Sequence, residues 1–276
     1  MKKENVESIY LKKVELLRNL SKNYYEYSRP SIPDSEYDNS KNEILDLEKK
    51  NLFLKSKNSP SIVVGFKPSK NFRKVKHKIP MLSLGNAFNE EDLKNFEKKI
   101  LNFLSLEKSN SIEYSAEPKI DGISASLIYI NGKLTKGLSR GDGNEGEDIT
   151  QNLKTINDIP AHIDMINFPT EIDIRGEVFI ENNDFKKINT KFANPRNAAS
   201  GSLRQKNPLM TAKIPLRFIA YTYGYVNNMA ISNQIDFLYN LKLWGFKINP
   251  FNKKIKTIKD LLLNHKNLEK KRKDIP

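Results

Sequence analysis

The sequence predicts an α+β protein: a small N-terminal helical hairpin, then a larger region of antiparallel sheet with flanking helices. Three observations carry that prediction. Apolar residues recur at helical spacing between residues 4 and 48, with a break at Pro30 and Pro33. Beyond residue 111 the chain turns to short apolar runs, at 112–116, 123–130, 133–140 and 171–180. Between two of these runs stands Asn131-Gly132. That pair marks a two-residue hairpin, because both central residues of such a turn need positive φ.

The elements follow in order. Val6, Ile9, Tyr10, Leu17, Leu20 and Tyr24 place one apolar face on a helix over 4–28. Asp34 stands at the N-cap position of a second helix that carries Tyr37, Lys41, Ile44, Leu45 and Glu48. An irregular link runs from about Ser56 to Pro68, which puts a domain boundary near residue 68. The stretch 79–86, Ile-Pro-Met-Leu-Ser-Leu-Gly-Asn, reads as a buried loop or short strand. A helix over 90–104 shows Leu93, Phe96, Ile100 and Phe103 on one side. Glu147 to Leu153 reads as a helix start, and 171–180 and 214–226 as strands. Ser232 stands where a helix ending at Gly245 would be capped, and Thr257 with Asp260 opens a last helix in capping-box spacing.

Composition narrows the class. Lys+Arg 47 against Asp+Glu 33 gives a net charge of +14, which fits a polyanionic partner, nucleic acid above all. A lysine-rich coding bias would give the same excess, so charge alone leaves both readings open. Cysteine is absent, which excludes disulfides and cysteine-ligated zinc. No run is apolar and long enough to span a bilayer, and the N-terminus opens on an amphipathic pattern, so the expected location is the cytoplasm. His77, His162 and His265 are scattered without ligand spacing, so no metal site is expected from histidines.

One stretch concentrates the chemistry. Ser115-Ala116-Glu117-Pro118-Lys119-Ile120-Asp121-Gly122 sets a single lysine between two carboxylates and a turn glycine. A covalent nucleotidyl transferase needs such a lysine: its amine attacks an α-phosphate and holds the nucleotide as a phosphoramidate. Burial or neighbouring cations would free the amine. A surface lysine beside an Asp-Gly turn gives the same letters. Around the Pro-containing turn of the hairpin, Tyr24 and Tyr25 can face Asp34, Tyr37 and Asp38. Aromatic faces with carboxylates suit a flat cationic ring such as nicotinamide, and equally the packing and capping of a hairpin. Arg175-Gly176-Glu177 places two charges inside an apolar strand, and Arg196 and Arg204 flank the small residues of 197–202, where guanidinium forks suit phosphate oxygens or lie exposed on a helix. The literal Gly-x-Gly-x-x-Gly at 141–146 follows an antiparallel hairpin and carries Asp142 and Glu145, so it is not a dinucleotide fingerprint.

Taken together these stretches resemble the N-terminal half of the bacterial NAD-dependent DNA ligases. Ile-Pro-Asp-Ser-Glu-Tyr-Asp at 32–38, Pro-Met-Leu-Ser-Leu at 80–84, Glu-Pro-Lys-Ile-Asp-Gly at 117–122, Arg-Gly-Asp-Gly at 140–143, Gly-Glu-Asp-Ile-Thr at 146–150, Arg-Gly-Glu-Val-Phe at 175–179 and Phe-Ala-Asn-Pro-Arg-Asn-Ala at 192–198 carry the resemblance in order. It implies a helical subdomain over 1–68 that binds nicotinamide mononucleotide (NMN). Over 69–276 it implies an incomplete nucleotidyltransferase domain of the DNA ligase, ATP-grasp-like kind.

The resemblance also assigns roles. It implies that Lys119 becomes adenylated and that Asp121 supports the Mg²⁺- or Mn²⁺-assisted steps. Glu117 would read adenine beside Ser83 and Leu84, and Arg140 and Glu177 would hold the ribose. Tyr24, Tyr25, Asp34, Ser35, Glu36, Tyr37 and Asp38 would grip the nicotinamide end of NAD, and Arg196 and Arg204 would meet phosphates. The implied partners are NAD and nicked double-stranded DNA, for a monomer acting in replication and repair, with no zinc and no membrane. Two departures stand out: a short segment between Asn189 and Phe192, and a chain that stops at Pro276 before the family's next Asp-Gly-x-Val-x-Lys strand, as a fragment would. The alternatives are a relative that binds NAD or DNA without turnover, and a transferase using ATP or GTP. The second would have no use for the tyrosine-aspartate hairpin.

Overall fold

The computed structural model describes residues 3–25, 34–54, 59, 72–107, 112–188, 192–229 and 231–272; in the first two helices the side chains of 3–5, 21–25, 34, 35 and 38 are outside the description. The architecture is α+β, as the sequence predicts. Helices α1 (Lys3–Tyr25) and α2 (Asp34–Lys50) pack on each other. Tyr10, Val14, Leu17, Ile44 and Leu54 form their buried seam, and Val6, Tyr37 and Leu47 pack against it. Inside that seam Tyr10 donates to Glu48 at 2.8 Å, so the buried carboxylate is partnered. Asp34 is the first helical residue of α2, one position later than its expected capping role. Residues 26–28 of the expected first helix, and the link at 56–68 apart from Ser59, lie outside the described residues.

The remaining elements follow in chain order: β1 (Lys74–Lys76), α3 (Glu90–Phe103), β2 (Tyr114–Ala116), β3 (Ile123–Ile130), β4 (Lys133–Ser139), β5 (Glu145–Glu147), α4 (Thr150–Leu153), β6 (Glu171–Phe179), α5 (Asn182–Lys187), α6 (Pro195–Leu203), α7 (Pro208–Thr211), β7 (Arg217–Val226), α8 (Gln234–Leu243), β8 (Lys253–Ile255) and α9 (Ile258–Lys271). The main sheet runs β4-β3-β6-β7 and every pairing in it is antiparallel. Asn131 and Gly132 have φ 48° and 74°, the hairpin turn expected from that dipeptide. Two short ladders, β1 with β5 and β2 with β8, flank the main sheet.

Strand periodicity divides this sheet into two chemically different faces. On β6, Ile172, Ile174 and Val178 are wholly buried in the core with Ala125, Leu127 and Tyr129 of β3. Helices α6 and α8 close that side with Ala198, Ala199, Leu203, Phe237 and Leu241. Edge-on contacts of Tyr129 with Phe246 and of Phe168 with Trp244 extend it. The alternate residues of β6, which are Asp173, Arg175 and Glu177, share the other face with Ser124 and Ser126 of β3. That face carries the candidate site.

Several expectations need correction. The 79–86 segment is not buried: Met81 is, but Leu82 and Leu84 are 80% and 77% exposed. On α3 the inward residue is Leu101, while Phe96 and Phe103 face solvent. Residues 145–147 pair as β5 and the helix begins only at Thr150, because Glu147 is held in the ladder opposite Lys74. The strand expected from Ile214 begins at Arg217. Asn233, not Ser232, caps α8: its side chain accepts from the Asp236 amide. Thr257 caps α9: its Oγ1 accepts from the Asp260 amide, as the capping-box spacing implies, and donates to the Asp260 carboxylate.

Candidate active site

The turn that carries Lys119 is pinned at its glycine. Gly122 lies so close to β6 that a Cβ there would stand 2.2 Å from the Val178 carbonyl oxygen and 2.9 Å from Glu177 Cγ. Only glycine allows this approach. It sets Lys119 and Asp121 at the edge of the polar sheet face, on the short connection between β2 and β3. Lys119 is exposed, so burial does not supply the activation considered from sequence. Lys119 and Arg196 both lie near enough to Glu177 to bear on its charge. Arg196, from the first turn of α6, donates through Nη1 to Asp121 Oδ1 at 2.8 Å.

Glu177 forms the floor. It is buried and accepts from Ser124 Oγ at 2.8 Å. Burial pushes its carboxyl above the ordinary carboxylate range. Ser124, Arg196 and Lys119 pull it back towards the charged form, while Asp121 opposes them. Beside it, burial pushes the Tyr221 phenol up to about 12, with the Glu177 charge adding to the effect.

The 77–84 segment is strapped across the same face. Arg175, paired with Asp173 at 3.1 Å, donates to the carbonyl oxygens of Ile79 and Pro80. Ser126 donates to the other oxygen of Asp173. Lys78 reaches Glu171 at 2.6 Å and lies over the Tyr225 ring. Met81 donates its amide to the Gly143 carbonyl at 2.8 Å. Arg140 then returns a bond from Nη2 to Ser83 Oγ at 2.7 Å, and its own carbonyl lies 3.2 Å from His77 Nε2. The segment is therefore fastened as far as Ser83. Glu117 sits at the far side of the turn, where Oε1 accepts from Ser115 and from Gln234, each at 2.9 Å.

The structure brings Lys119, Asp121, Glu177 and Arg196 together, and joins Arg140 to Ser83. Arg204 is placed differently: its Nε donates to the buried carboxylate of Glu147 at 3.1 Å, at the end of β5. Tyr37 is half-buried against the hairpin seam and Glu36 is exposed. Tyr24, Tyr25, Asp34, Ser35 and Asp38 fall in α1 and α2, and their side chains lie outside the described residues. Sequence reasoning missed Ser124, Tyr221 and Gln234. The only signal for Ser124 was strand periodicity, and nothing in the sequence marked Gln234. In the turn at 141–144, which leads into β5, Asp142 Oδ1 accepts from the amides of Asn144 and Glu145, so its own carboxylate occupies them.

Among the described residues no group of three or more His, Cys, Asp or Glu could hold a metal ion. None of their helices is long and apolar enough to cross a membrane.

The sequence profile of the NAD-dependent DNA ligase adenylation domain matches residues 69–276. That of the DNA ligase-like, N-terminal NAD+-binding domain matches residues 3–65. The DNA ligase of Pelagibacter ubique (strain HTCC1062) is 72% identical over 275 residues, covering 100% of this chain and 41% of that relative. The DNA ligase of Rickettsia massiliae (strain Mtu5) is 45% identical over 92% of this chain and 37% of its own length. That of Parvibaculum lavamentivorans is 42% identical over 90% of this chain and 36% of its own. The chain thus spans about two fifths of the length of these relatives. With a match that runs through 69–276, the chain belongs to the NAD-dependent DNA ligase family.

Proposed function

We propose that this chain performs the adenylation half of NAD-dependent DNA ligation. Lys119 attacks the α-phosphate of NAD as a free amine, the bond to NMN breaks, and a lysyl-AMP results. In the full-length ligases the adenylyl group then passes to the 5′-phosphate of a nick in duplex DNA, where the 3′-hydroxyl displaces AMP; this chain by itself is expected to seal nicks weakly or not at all. The place of this work is the cytoplasm, in replication and repair. The observation that carries the reading is the grouping of Lys119 with Asp121, Arg196 and Glu177 on the polar face of the sheet. Breaking a pyrophosphate puts negative charge on the departing oxygens, and a nearby guanidinium stabilises it.

The other roles follow from neighbours. Arg140 and Glu177 would take the ribose, with Glu117, Ser83 and the exposed faces of Leu82 and Leu84 around the adenine. Arg196 would serve the phosphates. Arg204, tied to Glu147, would reach them only by exchanging that partner. The residues at 24–25 and 34–38 would receive the nicotinamide end. Mg²⁺ takes one or two carboxylates and keeps water and phosphate oxygens for the rest of its shell. Asp121, with its exposed carboxylate, fits that donor set, and so would Mn²⁺. When bound, the ion would draw charge from the phosphates.

We also take 1–68 as the NMN-binding subdomain and 69–276 as the adenylation domain. The separate apolar clusters of the two parts support this division.

The test is intact mass after incubation with NAD and Mg²⁺, with ATP as the control. The expected result is a slow gain of one adenylyl group from NAD alone, lost in Lys119→Arg, because arginine stays protonated. An adduct that survives Lys119→Arg removes the reading.

A further inference from the structure

Glu117 and Gln234 are 117 positions apart and meet beside the nucleophile turn. Gln234 is the first residue of α8, a helix fixed by its Asn233 cap. Its Nε2 makes two bonds, to Glu117 Oε1 at 2.9 Å and to the Tyr221 carbonyl at 2.6 Å. Both acceptors need a donor, so the amide can face the carboxylate only with its nitrogen. Ser115 Oγ donates to the same Oε1 at 2.9 Å. One oxygen of Glu117 thus takes two donors, and among the described residues Oε2 receives none.

We infer that Gln234 sets the base selectivity of this site by holding Glu117 Oε2 as a free, fixed acceptor that favours a 6-amino purine over a 6-keto purine. The inference rests on the adenylation reading above. An ionised carboxylate can only accept. An exocyclic amine offers it an N–H, whereas a keto oxygen offers a second lone pair. A site built to receive a donor rejects the analogue that lacks one, because its own buried polar groups are then left unpaired. Selectivity of this kind requires the acceptor to stay in place. Without the two donors on Oε1 the carboxylate would rotate and present either oxygen to any partner. Gln234 is therefore a positioning residue, and its second bond ties that position to the backbone of β7.

The test compares AMP with inosine 5′-monophosphate (IMP) by calorimetric titration of the whole chain, alongside thermal melting. The unsubstituted protein is expected to prefer AMP by roughly tenfold or more, the scale of one charge-assisted hydrogen bond. Gln234→Leu should bring the ratio to within about threefold of unity, mainly by weakening AMP. Ser115→Ala removes the other donor without touching Tyr221 and should move the ratio the same way, so the inference stays testable if Gln234→Leu fails to fold. A preference for AMP that persists in Ser115→Ala and in a folded Gln234→Leu overturns the inference and leaves the adenylation reading intact. Failure of the unsubstituted chain to bind AMP at all overturns both.

Discussion

Arg196 Nη1 stands 2.8 Å from Asp121 Oδ1, and the two partners are unequally buried, at 20% and 73% exposure. The pair joins the first turn of α6 to the turn that carries Lys119 across 75 positions of sequence. It also sets two demands against each other, since one guanidinium faces both a carboxylate and the proposed phosphates. Asp121→Asn should release Arg196 to the phosphate. In the absence of metal, AMP binding is expected to tighten by up to about fivefold, the scale of one exposed ion pair, while adduct formation slows. Stability should change by less than about 1 kcal/mol. Titration with AMP and a urea melt check both. Weaker AMP binding in the variant would contradict the competition.

The turn that carries Lys119 has no room at its glycine. Gly122→Ala would drive a methyl group into the Val178 carbonyl, a backbone atom inside the main sheet that cannot rotate away. Overpacking of this kind costs about 1–3 kcal/mol. The relief would come from the turn, because β6 is paired on both sides. We expect a lower unfolding midpoint and a greater proportional loss of adenylation than of stability. A variant with unchanged midpoint and unchanged adduct rate would show that the turn yields freely.

Arg175 is a brace for the strap. Arg175→Met leaves Asp173 buried without its cation, a loss of about 3–5 kcal/mol. Arg175→Met with Asp173→Leu removes both charges and should restore much of that stability. Nucleotide binding should not return with it, because the Ile79 and Pro80 carbonyls still lack their donor. Chemical denaturation and AMP titration of the single and double variants separate the two effects. Binding that recovers together with stability would reduce Arg175 to an ordinary buried ion pair.

These relationships show what the sequence made legible. Ile123–Ile130 and the Asn131-Gly132 turn were readable because strand alternation and turn chemistry are local. The lysine motif was readable because four adjacent residues carry it. β1 and β8 were not readable, since Lys74-Val75-Lys76 and Lys253-Lys254-Ile255 are three residues each and exist through their distant partners. Leu82 and Leu84 misled, because an apolar run suggests burial and here it lies exposed beside the candidate site. Arg175 could be suspected from its charge in an apolar strand, but its partners are backbone carbonyls 95 and 96 positions away. Gln234 left no trace, because one amide in a helix start has no pattern. Residue types were local information, and their pairings were tertiary.

His77 gives a pH signature to the same scaffold. Its ring is buried, Nδ1 has no hydrogen-bond partner among the described residues, and Nε2 lies 3.2 Å from the Arg140 carbonyl. Burial holds its pKa below the ordinary 6.5, with the Arg175 charge acting the same way. The Arg140 carbonyl, Asp173 and Ser139 oppose that shift without cancelling it. The unfolded chain therefore binds the proton first as pH falls below 6.5. Stability is lost through that window, down to the folded pKa, and is fully present above it. Glu177 has the opposite sign, since its raised pKa makes the folded state bind its proton first as pH falls. His77→Gln removes the first contribution and leaves the second. At pH 7 the substitution should cost about 1 kcal/mol for the hydrogen bond. Between about pH 7 and pH 5.5, near the ordinary histidine range, the unsubstituted protein should lose more stability than His77→Gln. Urea melts of both proteins at the two pH values give the difference, in which the carboxylates common to both cancel. Equal losses would show that His77 carries no proton linkage.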